Sequence, residues 1–405
     1  MADRRLVIAA LGLSQIIGYG TLYYAFGVLA PAMAADLGWS GEWVFGALSL
    51  ALLAAGLVAP IAGRWADQYG AGRVMTLGSA AAALALAGCA LAPGKLGFLF
   101  GLIAIEVAST FVQYTAAFAL LVQIDHLRAS RDITYLTLIA GFASTLLWPV
   151  TAALQQVLTW REVYLVFAAA HLLLCLPIHH WLSSLSRPPA AGTAMPEANA
   201  GGIGLLPTAQ RRRCFALMAV GFSLLSFVNA ATLVHMLPML GALGLGAMAV
   251  AISTVFGPAQ VLGRLTNMVF GAELPATRLA VLAALFEPLA IAVLLLSAPW
   301  SPGAMAFAIL FGLGSGLGSI VQGTLPLQLF GKHGYGALSG RIAAIRLAVS
   351  ATAPFVFAFV MESFGVVSAL AVVFVLGAGA IFAFAWIGRF TLHRGVASPG
   401  VLAES

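Results

Sequence analysis

Twelve long apolar runs occupy most of this 405-residue chain and fix what it can fold into. A helix that crosses the hydrocarbon core of a bilayer needs about 20 mostly apolar residues. Only 8% of the residues are charged and 62% are hydrophobic, whereas soluble domains carry about 25% charged residues. We therefore expect an all-α integral membrane protein with twelve transmembrane helices and no separate soluble domain. The predicted spans are 6–32, 43–62, 74–92, 97–122, 134–157, 163–182, 214–240, 247–270, 279–297, 304–329, 342–362 and 367–388.

Lysine and arginine residues are confined to alternate connections between these runs. Lys95 and Arg161 are the exceptions among the 19; the others precede run 1, follow run 12 or lie at every second connection. Because cytoplasmic connections carry the Lys/Arg excess, both termini and the long central connection are predicted to be cytoplasmic. The net charge of +6 is assigned to this topology and not to a nucleic-acid partner.

Short matches relate the first six runs to the last six. Gly-Arg-x-x-Asp at 63–67 recurs as Gly-Arg-x-x-Asn at 263–267, and Val-Gln-x-Thr occurs at 112–115 and again at 321–324. Pro149 and Pro354 form a third pair in the same order. Two repeats with a substrate path between them are typical of secondary transporters. The predicted organisation is six-helix bundles at 1–182 and 214–390, a cytoplasmic linker at 183–213 and a cytoplasmic tail at 391–405.

Residues 63–73, GRWADQYGAGR, resemble the signature between helices 2 and 3 of the major facilitator superfamily. The resemblance implies alternating access between two bundles, in a monomer of the bacterial inner membrane. It also implies a cytoplasmic latch, carried chiefly by Asp67 and Arg73 and weaker in the second copy, where asparagine replaces aspartate. The latch residues on this basis are Gly63, Arg64, Asp67, Gly70, Arg73, Gly263, Arg264 and Asn267.

Two branches of the superfamily are more similar than the others. Residues 23–31 and 36–40 resemble helix 1 of the monocarboxylate-porter type, while 15–24, 106–110 and 135–144 resemble bacterial arsenite-efflux members. The helix 5 signature of drug/proton antiporters, Gly-Pro-x-x-Gly-Gly, is replaced by STLLWP at 144–149. A multidrug exporter is therefore disfavoured.

Acidic residues inside apolar runs are costly and are often functional. Glu106 in span 4 and Glu287 in span 9 are the candidates for proton coupling, with structural hydrogen bonding as the alternative for each. The superfamily places helices 1, 4, 7 and 10 around its cavity. The predicted cavity residues are Gln15, Tyr19, Tyr23, Gln113, Tyr114, Asn229, His235, Gln322 and Arg346.

The charge pattern also bears on the substrate. Arg264 and Arg346 are both expected towards the cytoplasm, which leaves the membrane midplane without a fixed cation. A small neutral hydroxylic solute fits such a cavity, so proton-coupled efflux of arsenite or antimonite is predicted. The alternative is proton-coupled transport of a monocarboxylate or other small organic acid, with Arg346 reaching inward.

No catalytic, metal-binding or nucleotide-binding pattern is present in the sequence, so neither an enzyme nor a cofactor is expected. The three cysteines, Cys89, Cys175 and Cys214, are expected to pack as apolar side chains. The rival functions to secondary transport are a membrane-embedded enzyme or assembly scaffold and a passive channel. The expected partners are a small solute, protons and the lipid bilayer.

Overall fold

The computed structural model describes residues 4–186, 206, 208–271 and 274–392. Every regular element in these ranges is helical, and twelve helices are long and apolar enough to cross a membrane. The predicted fold class is confirmed. Most of the predicted linker and tail, with Arg187 and Arg394, lies outside the described residues.

The membrane helices are numbered here in chain order. Helix 1 is Arg4–Tyr19, Gly20–Tyr24 and Ala25–Leu37; helix 2 is Gly41–Tyr69; helix 3 is Ala71–Leu91; helix 4 is Gly94–Ser109 and Tyr114–Ile124. Helix 5 is Ala129–Ala140 and Ala143–Gln155; helix 6 is Trp160–Ala170, His171–Cys175 and Leu176–Ser183; helix 7 is Thr208–Val234 with a short continuation, Met236–Leu240. Two short turns, Gly241–Leu245 and Gly246–Met248, lead to helix 8, Ala249–Phe270. Helices 9 to 12 are Ala276–Ser297, Ser301–Phe330, Tyr335–Phe364 and Val366–Leu392.

Several of these helices are interrupted near their middle. Helix 4 is non-helical at 110–113 and helix 5 at 141–142, while Gly20–Tyr24 and His171–Cys175 are π-helical turns. Freed backbone groups are tolerated at membrane depth only where protein or a cavity surrounds them. The interruptions, which the apolar pattern does not reveal, therefore point to the interior of the bundle.

The two six-helix halves meet tightly at one end of the bundle. We call this the arginine-rich end; it is defined by helix ends near Arg4, Arg64, Arg131 and Arg341. A Cβ added at Gly63 of helix 2 would overlap the Gly336 backbone of helix 11, and one at Gly340 would overlap Ala59. Glycine lets these two helices approach to backbone contact.

The contact between helices 2 and 11 loosens with distance from that end. A Cβ at Gly56 would lie 3.3 Å from Leu347, and an apolar groove of about 540 Å³ is lined there by residues of both helices, including Leu53 and Ala348. One buried core joins both halves at the arginine-rich end and includes Leu121, Leu327 and Tyr335. The Tyr335 hydroxyl donates a 2.8 Å hydrogen bond to the Gly323 carbonyl and fixes the turn between helices 10 and 11.

Candidate functional site

Aromatic residues of helices 1 and 4 meet between the two halves. The rings of Tyr19 and Tyr114 are 4.6 Å apart, and Tyr114 stacks on Phe118 at 4.9 Å. Tyr23 and Tyr24 contact each other edge to face at 5.2 Å. The π-turn of helix 1 positions this second pair. The structure thus brings together three predicted cavity residues, Tyr19, Tyr23 and Tyr114.

Arg346 faces this aromatic group from helix 11. Its guanidinium interacts electrostatically with Tyr19 and Tyr23, and its side chain is half-buried. Helix 11 has 30 residues, and at 1.5 Å per residue Arg346 lies about 17 Å from its start and about 5 Å from its midpoint. Arg346 therefore lies on the arginine-rich side of the middle of helix 11, and its guanidinium reaches the tyrosines of the other half.

Arg264 of helix 8 is more deeply buried, with 4% of its surface exposed. Its Nε donates a 3.0 Å hydrogen bond to Ser319 of helix 10, and Nη1 has no hydrogen-bond partner. The guanidinium packs against Gly141, where helix 5 is interrupted, and it interacts electrostatically with Tyr24 and Tyr114. Arg264 therefore lies between the halves, six residues before the end of helix 8, and its assignment as a latch residue stays a prediction.

The interruption of helix 4 is stabilised from helix 1. Gln15 is buried, and its Nε2 donates a 2.7 Å hydrogen bond to the Val112 carbonyl. Gln113 begins the second segment, where its carbonyl accepts from the amides of Ala116 and Ala117 at 3.0 Å. Gln15 thus satisfies a backbone group that the break would otherwise leave without a partner.

Glu106 lies one turn before that interruption and is 3% exposed. The Ser109 hydroxyl donates a 2.7 Å hydrogen bond to the Glu106 backbone carbonyl, the buried carboxyl Oε1 has no partner, and Tyr23 is within electrostatic range. An acidic group with spare hydrogen-bonding capacity beside the aromatic group is chemically able to accept and release a proton.

Glu287 of helix 9 is 1% exposed and bonds to a predicted cavity residue. Asn229 of helix 7 donates to its Oε1 and, at 3.1 Å, to the Leu225 carbonyl, while Oε2 has no partner. The structure therefore places Glu287, a predicted proton-coupling residue, in direct contact with Asn229, a predicted cavity residue.

The remaining predicted cavity residues are more dispersed. His235 lies at the interruption of helix 7, bonds to Ala231 at 3.1 Å through Nδ1, and contacts the Phe357 ring at 5.0 Å. Gln322 is half-buried on helix 10. Cys89, Cys175 and Cys214 are free and buried, on three different helices.

Asp67 links the two halves at the arginine-rich end. Its carboxylate accepts hydrogen bonds from the backbone amides of Gly336 at 2.9 Å and Ala337 at 2.7 Å, in the first turn of helix 11. A negative charge at a helix N-terminus is stabilised by the helix dipole. Arg64 and Arg73 are exposed and form no salt bridge within the described ranges.

Gln123, which the sequence did not single out, braces the turn that carries Asp67. Its Oε1 accepts from the Ala71 amide and its Nε2 donates to the Ala66 carbonyl, both at 2.8 Å. Gly70, with φ 92°, forms the turn between them. The amide side chain suits this position because it donates through one atom and accepts through another.

The second copy of the motif is built differently. Gly263 packs against Leu313 within its own half, and the buried Oδ1 of Asn267 has no hydrogen-bond partner. Arg264 is the residue of this copy that reaches the other half. The copies thus place opposite charges between the halves, Asp67 from one and Arg264 from the other.

Comparison with known proteins identifies the architecture. The family model of the Major Facilitator Superfamily matches residues 11–354, while no curated protein matches significantly. Similar solved structures include the human organic anion transporter MFSD10 (15% identity, 95% of this chain and 100% of that chain, TM-score 0.71). The transporter FucP in its outward conformation is 13% identical over 94% of this chain and 98% of that one, with TM-score 0.73. The proton:xylose symporter XylE is 12% identical over 96% of each chain, with TM-score 0.70. The chain belongs to the major facilitator superfamily and is a multi-pass membrane transporter.

Proposed function

We propose that this transporter carries a small organic anion, which binds in the cleft between the two halves. The observation that carries the proposal is the pair of arginines, Arg264 and Arg346, that face the tyrosines of helices 1 and 4. The prediction of arsenite efflux depended on the absence of a cation in the cleft. Two arginines that face the tyrosines between the halves favour the organic-acid alternative instead.

The electrostatics of the two arginines favour an anionic substrate. In the described part of the chain, no acidic side chain is within salt-bridge distance of Arg264 or Arg346. Arg264 is buried, and a buried charge without a partner costs several kcal/mol, about 3–5 in pairs broken by mutation. A carboxylate offsets this cost and accepts from both the guanidinium and nearby phenols.

Proton coupling is proposed to run through Glu106 and Glu287. Each carboxyl is buried, has one oxygen without a partner and lies near cleft residues: Glu106 near Tyr23, and Glu287 bonded to Asn229. A proton that moves with the anion neutralises the charge that crosses the membrane, which lowers the dependence of transport on membrane potential.

The arginine-rich end is proposed to face the cytoplasm of a bacterium, because basic residues accumulate on that side. The halves meet there through Asp67 and the helix 2 and helix 11 glycines. On this orientation the conformation is outward-facing, with bundles at 1–182 and 214–390 joined by the 183–213 linker. A single copy contains both halves of the cleft, which is consistent with a functional monomer.

Uptake into proteoliposomes tests the substrate class. The panel comprises radiolabelled short monocarboxylates, dicarboxylates, xylose and arsenite, each with and without a pH gradient. We expect carboxylate transport that Arg346→Gln reduces at least tenfold in kcat/KM. Arg341→Gln, an exposed arginine of the same helix, is the matched control and is expected to retain activity. Transport of arsenite but not of carboxylates would restore the neutral-solute hypothesis.

A further inference from the structure

Two buried histidines of helix 6 lie outside the cleft and take no part in the proposed function. His171 is 0% exposed and His179 is 1% exposed. Both face helix 1, and His179 also reaches helix 3. His179 is hydrogen-bonded at both ring nitrogens, whereas His171 is hydrogen-bonded at only one.

His179 has a partner at each ring nitrogen. The Ser14 hydroxyl donates to the Leu11 carbonyl at 2.8 Å, so its oxygen accepts from Nε2 of His179 at 2.9 Å. Nδ1 then accepts from the Ser79 hydroxyl at 2.7 Å. The neutral Nε2–H tautomer satisfies every group, and His179 joins helices 1, 3 and 6 as a structural element.

His171 has a partner at only one nitrogen. The Thr21 hydroxyl donates to the Ile17 carbonyl at 2.8 Å, so its oxygen accepts from Nε2 of His171, also at 2.8 Å. The proton is therefore on Nε2, and Nδ1 keeps a lone pair that is buried and has no partner. A buried acceptor without a partner is unfavourable, so the bare lone pair suggests that this nitrogen has a chemical role.

The contact between Thr21 and His171 joins two irregular turns. Thr21 lies in the π-turn Gly20–Tyr24, and His171 begins the π-turn His171–Cys175. Such turns occur frequently at functional sites. The turn of helix 1 also carries Tyr23 and Tyr24, which interact with Arg346 and Arg264. His171 is therefore bonded to the same turn that carries these two tyrosines.

The elements packed against the His171 turn are helices 1 and 3 and the rest of helix 6. Their ionisable groups are Arg4, Arg5, Tyr19, Tyr23, Tyr24 and Asp36 on helix 1, Arg73 and Cys89 on helix 3, and Arg161, Glu162, Tyr164, Cys175, His179 and His180 on helix 6. Of these groups, His179 interacts electrostatically with His171. Arg4 is paired with Asp132, Arg73 is exposed, and Cys89 contacts the Phe98 carbonyl.

We propose that Nδ1 of His171 is a proton-binding site whose occupation changes the π-turn of helix 1. A proton from solvent adds to the Nδ1 lone pair, Nε2 keeps its proton, and the ring gains one positive charge. The new N–H has no acceptor in the present arrangement. Protonation therefore favours an arrangement in which helix 1 moves and offers water or a carbonyl to Nδ1. This coupling is independent of the substrate and of Glu106 and Glu287.

Nitrogen NMR on the full-length protein in lipid nanodiscs, with ¹⁵N-labelled histidine, tests the proton site. The His171→Gln and His179→Gln variants assign the two buried rings. At pH 8 both rings are expected as Nε2–H tautomers, with the Nδ1 shift of an unbonded nitrogen for His171 and of a bonded one for His179. Between pH 8 and pH 4.5, only His171 is expected to move to the imidazolium shifts.

Hydrogen–deuterium exchange of the peptide that contains Gly20–Tyr24 tests the structural coupling. After correction for intrinsic exchange rates, we expect exchange at pH 4.5 to exceed that at pH 8 at least fivefold. The increase should disappear in His171→Gln and persist in His179→Gln. Thr21→Val keeps the shape of the side chain but removes the hydroxyl that accepts from Nε2 of His171. His171 should then lose its preference for the Nε2–H tautomer, and the increase in exchange at pH 4.5 should be smaller. A His171 ring that stays neutral to pH 4.5, or a pH response unchanged in His171→Gln, overturns the proposal.

Discussion

Asp67→Asn is expected to weaken the closed arrangement of the arginine-rich end. The carboxylate accepts two amide hydrogen bonds, at 2.9 and 2.7 Å, from the first turn of helix 11. Hydrogen bonds to charged groups contribute about 1.5–3 kcal/mol each, and the charge at the helix N-terminus about 0.3–1 kcal/mol more. Asparagine keeps one acceptor oxygen, and Asp67 is half-buried, so we expect a net loss of about 2 kcal/mol. That corresponds to about a 30-fold shift towards the open arrangement.

Electron–electron double resonance between spin labels at Arg131 and Arg341 measures this shift. The two exposed positions lie at the arginine-rich end on opposite halves, so the distance between labels reports opening there. Asp125→Asn is the matched control, because Asp125 accepts from Leu127 and Arg128 within its own half. Asp67→Asn should enrich the long-distance population while Asp125→Asn leaves the wild-type distribution. An unchanged distribution in Asp67→Asn would refute the assignment of Asp67 as a link between the halves.

Three further changes test other parts of the account. In Glu106→Gln, a pH gradient should no longer accelerate uptake, because the side chain can no longer release a proton. Exchange of substrate across the membrane should remain. Gradient-driven uptake at the wild-type rate would contradict this. Gly63→Ala should separate helices 2 and 11 in the same spin-label assay, because its Cβ overlaps Gly336, whereas Gly46→Ala of the same helix meets no atom within 4 Å and is the control. Gly141→Ala should displace Arg264 and raise KM for the anion several-fold, measured by proteoliposome uptake; an unchanged KM would separate Arg264 from the substrate.

The architecture follows from the sequence because each membrane helix must satisfy its backbone hydrogen bonds within the helix itself. Length and hydropathy therefore determine the number of helices, and most predicted spans agree with the observed helices to within a few residues at one end or the other. The helices extend beyond the predicted limits where polar ends such as 63–69 remain helical past the apolar run. The apolar pattern of the sequence does not indicate where such polar helix ends stop.

The site was less predictable because depth along a helix does not give the direction or reach of a side chain. Counting from an apolar run that begins at 342 places Arg346 near the cytoplasm, whereas helix 11 begins at Tyr335. Seven extra residues move the arginine about 10 Å further from the helix end at 1.5 Å per residue. The long arginine side chain then reaches Tyr19 and Tyr23 of the other half, a contact that the sequence pattern does not predict.

Contacts between distant segments could not be deduced from the sequence. The sequence assigns Asn229 and Glu287 to different roles, and only packing of helices 7 and 9 joins them. The pairing of Thr21 with His171 depends on π-turns in both helices. A π-turn rotates the following side chains relative to a regular helix. The local apolar pattern does not indicate where such a turn occurs.

The central claim is that the cleft binds an organic anion through Arg346 and Arg264. The most direct test is thermal unfolding of the purified transporter with matched pairs such as lactate and lactamide, which differ in charge but hardly in shape. A ligand at 100 times its Kd stabilises the protein by about 2.7 kcal/mol, which a melting curve resolves. We predict that carboxylates raise Tm, that their amides do not, and that Arg346→Gln removes the effect while Arg341→Gln keeps it. Equal stabilisation by carboxylate and amide, or stabilisation that survives in Arg346→Gln, would contradict the account.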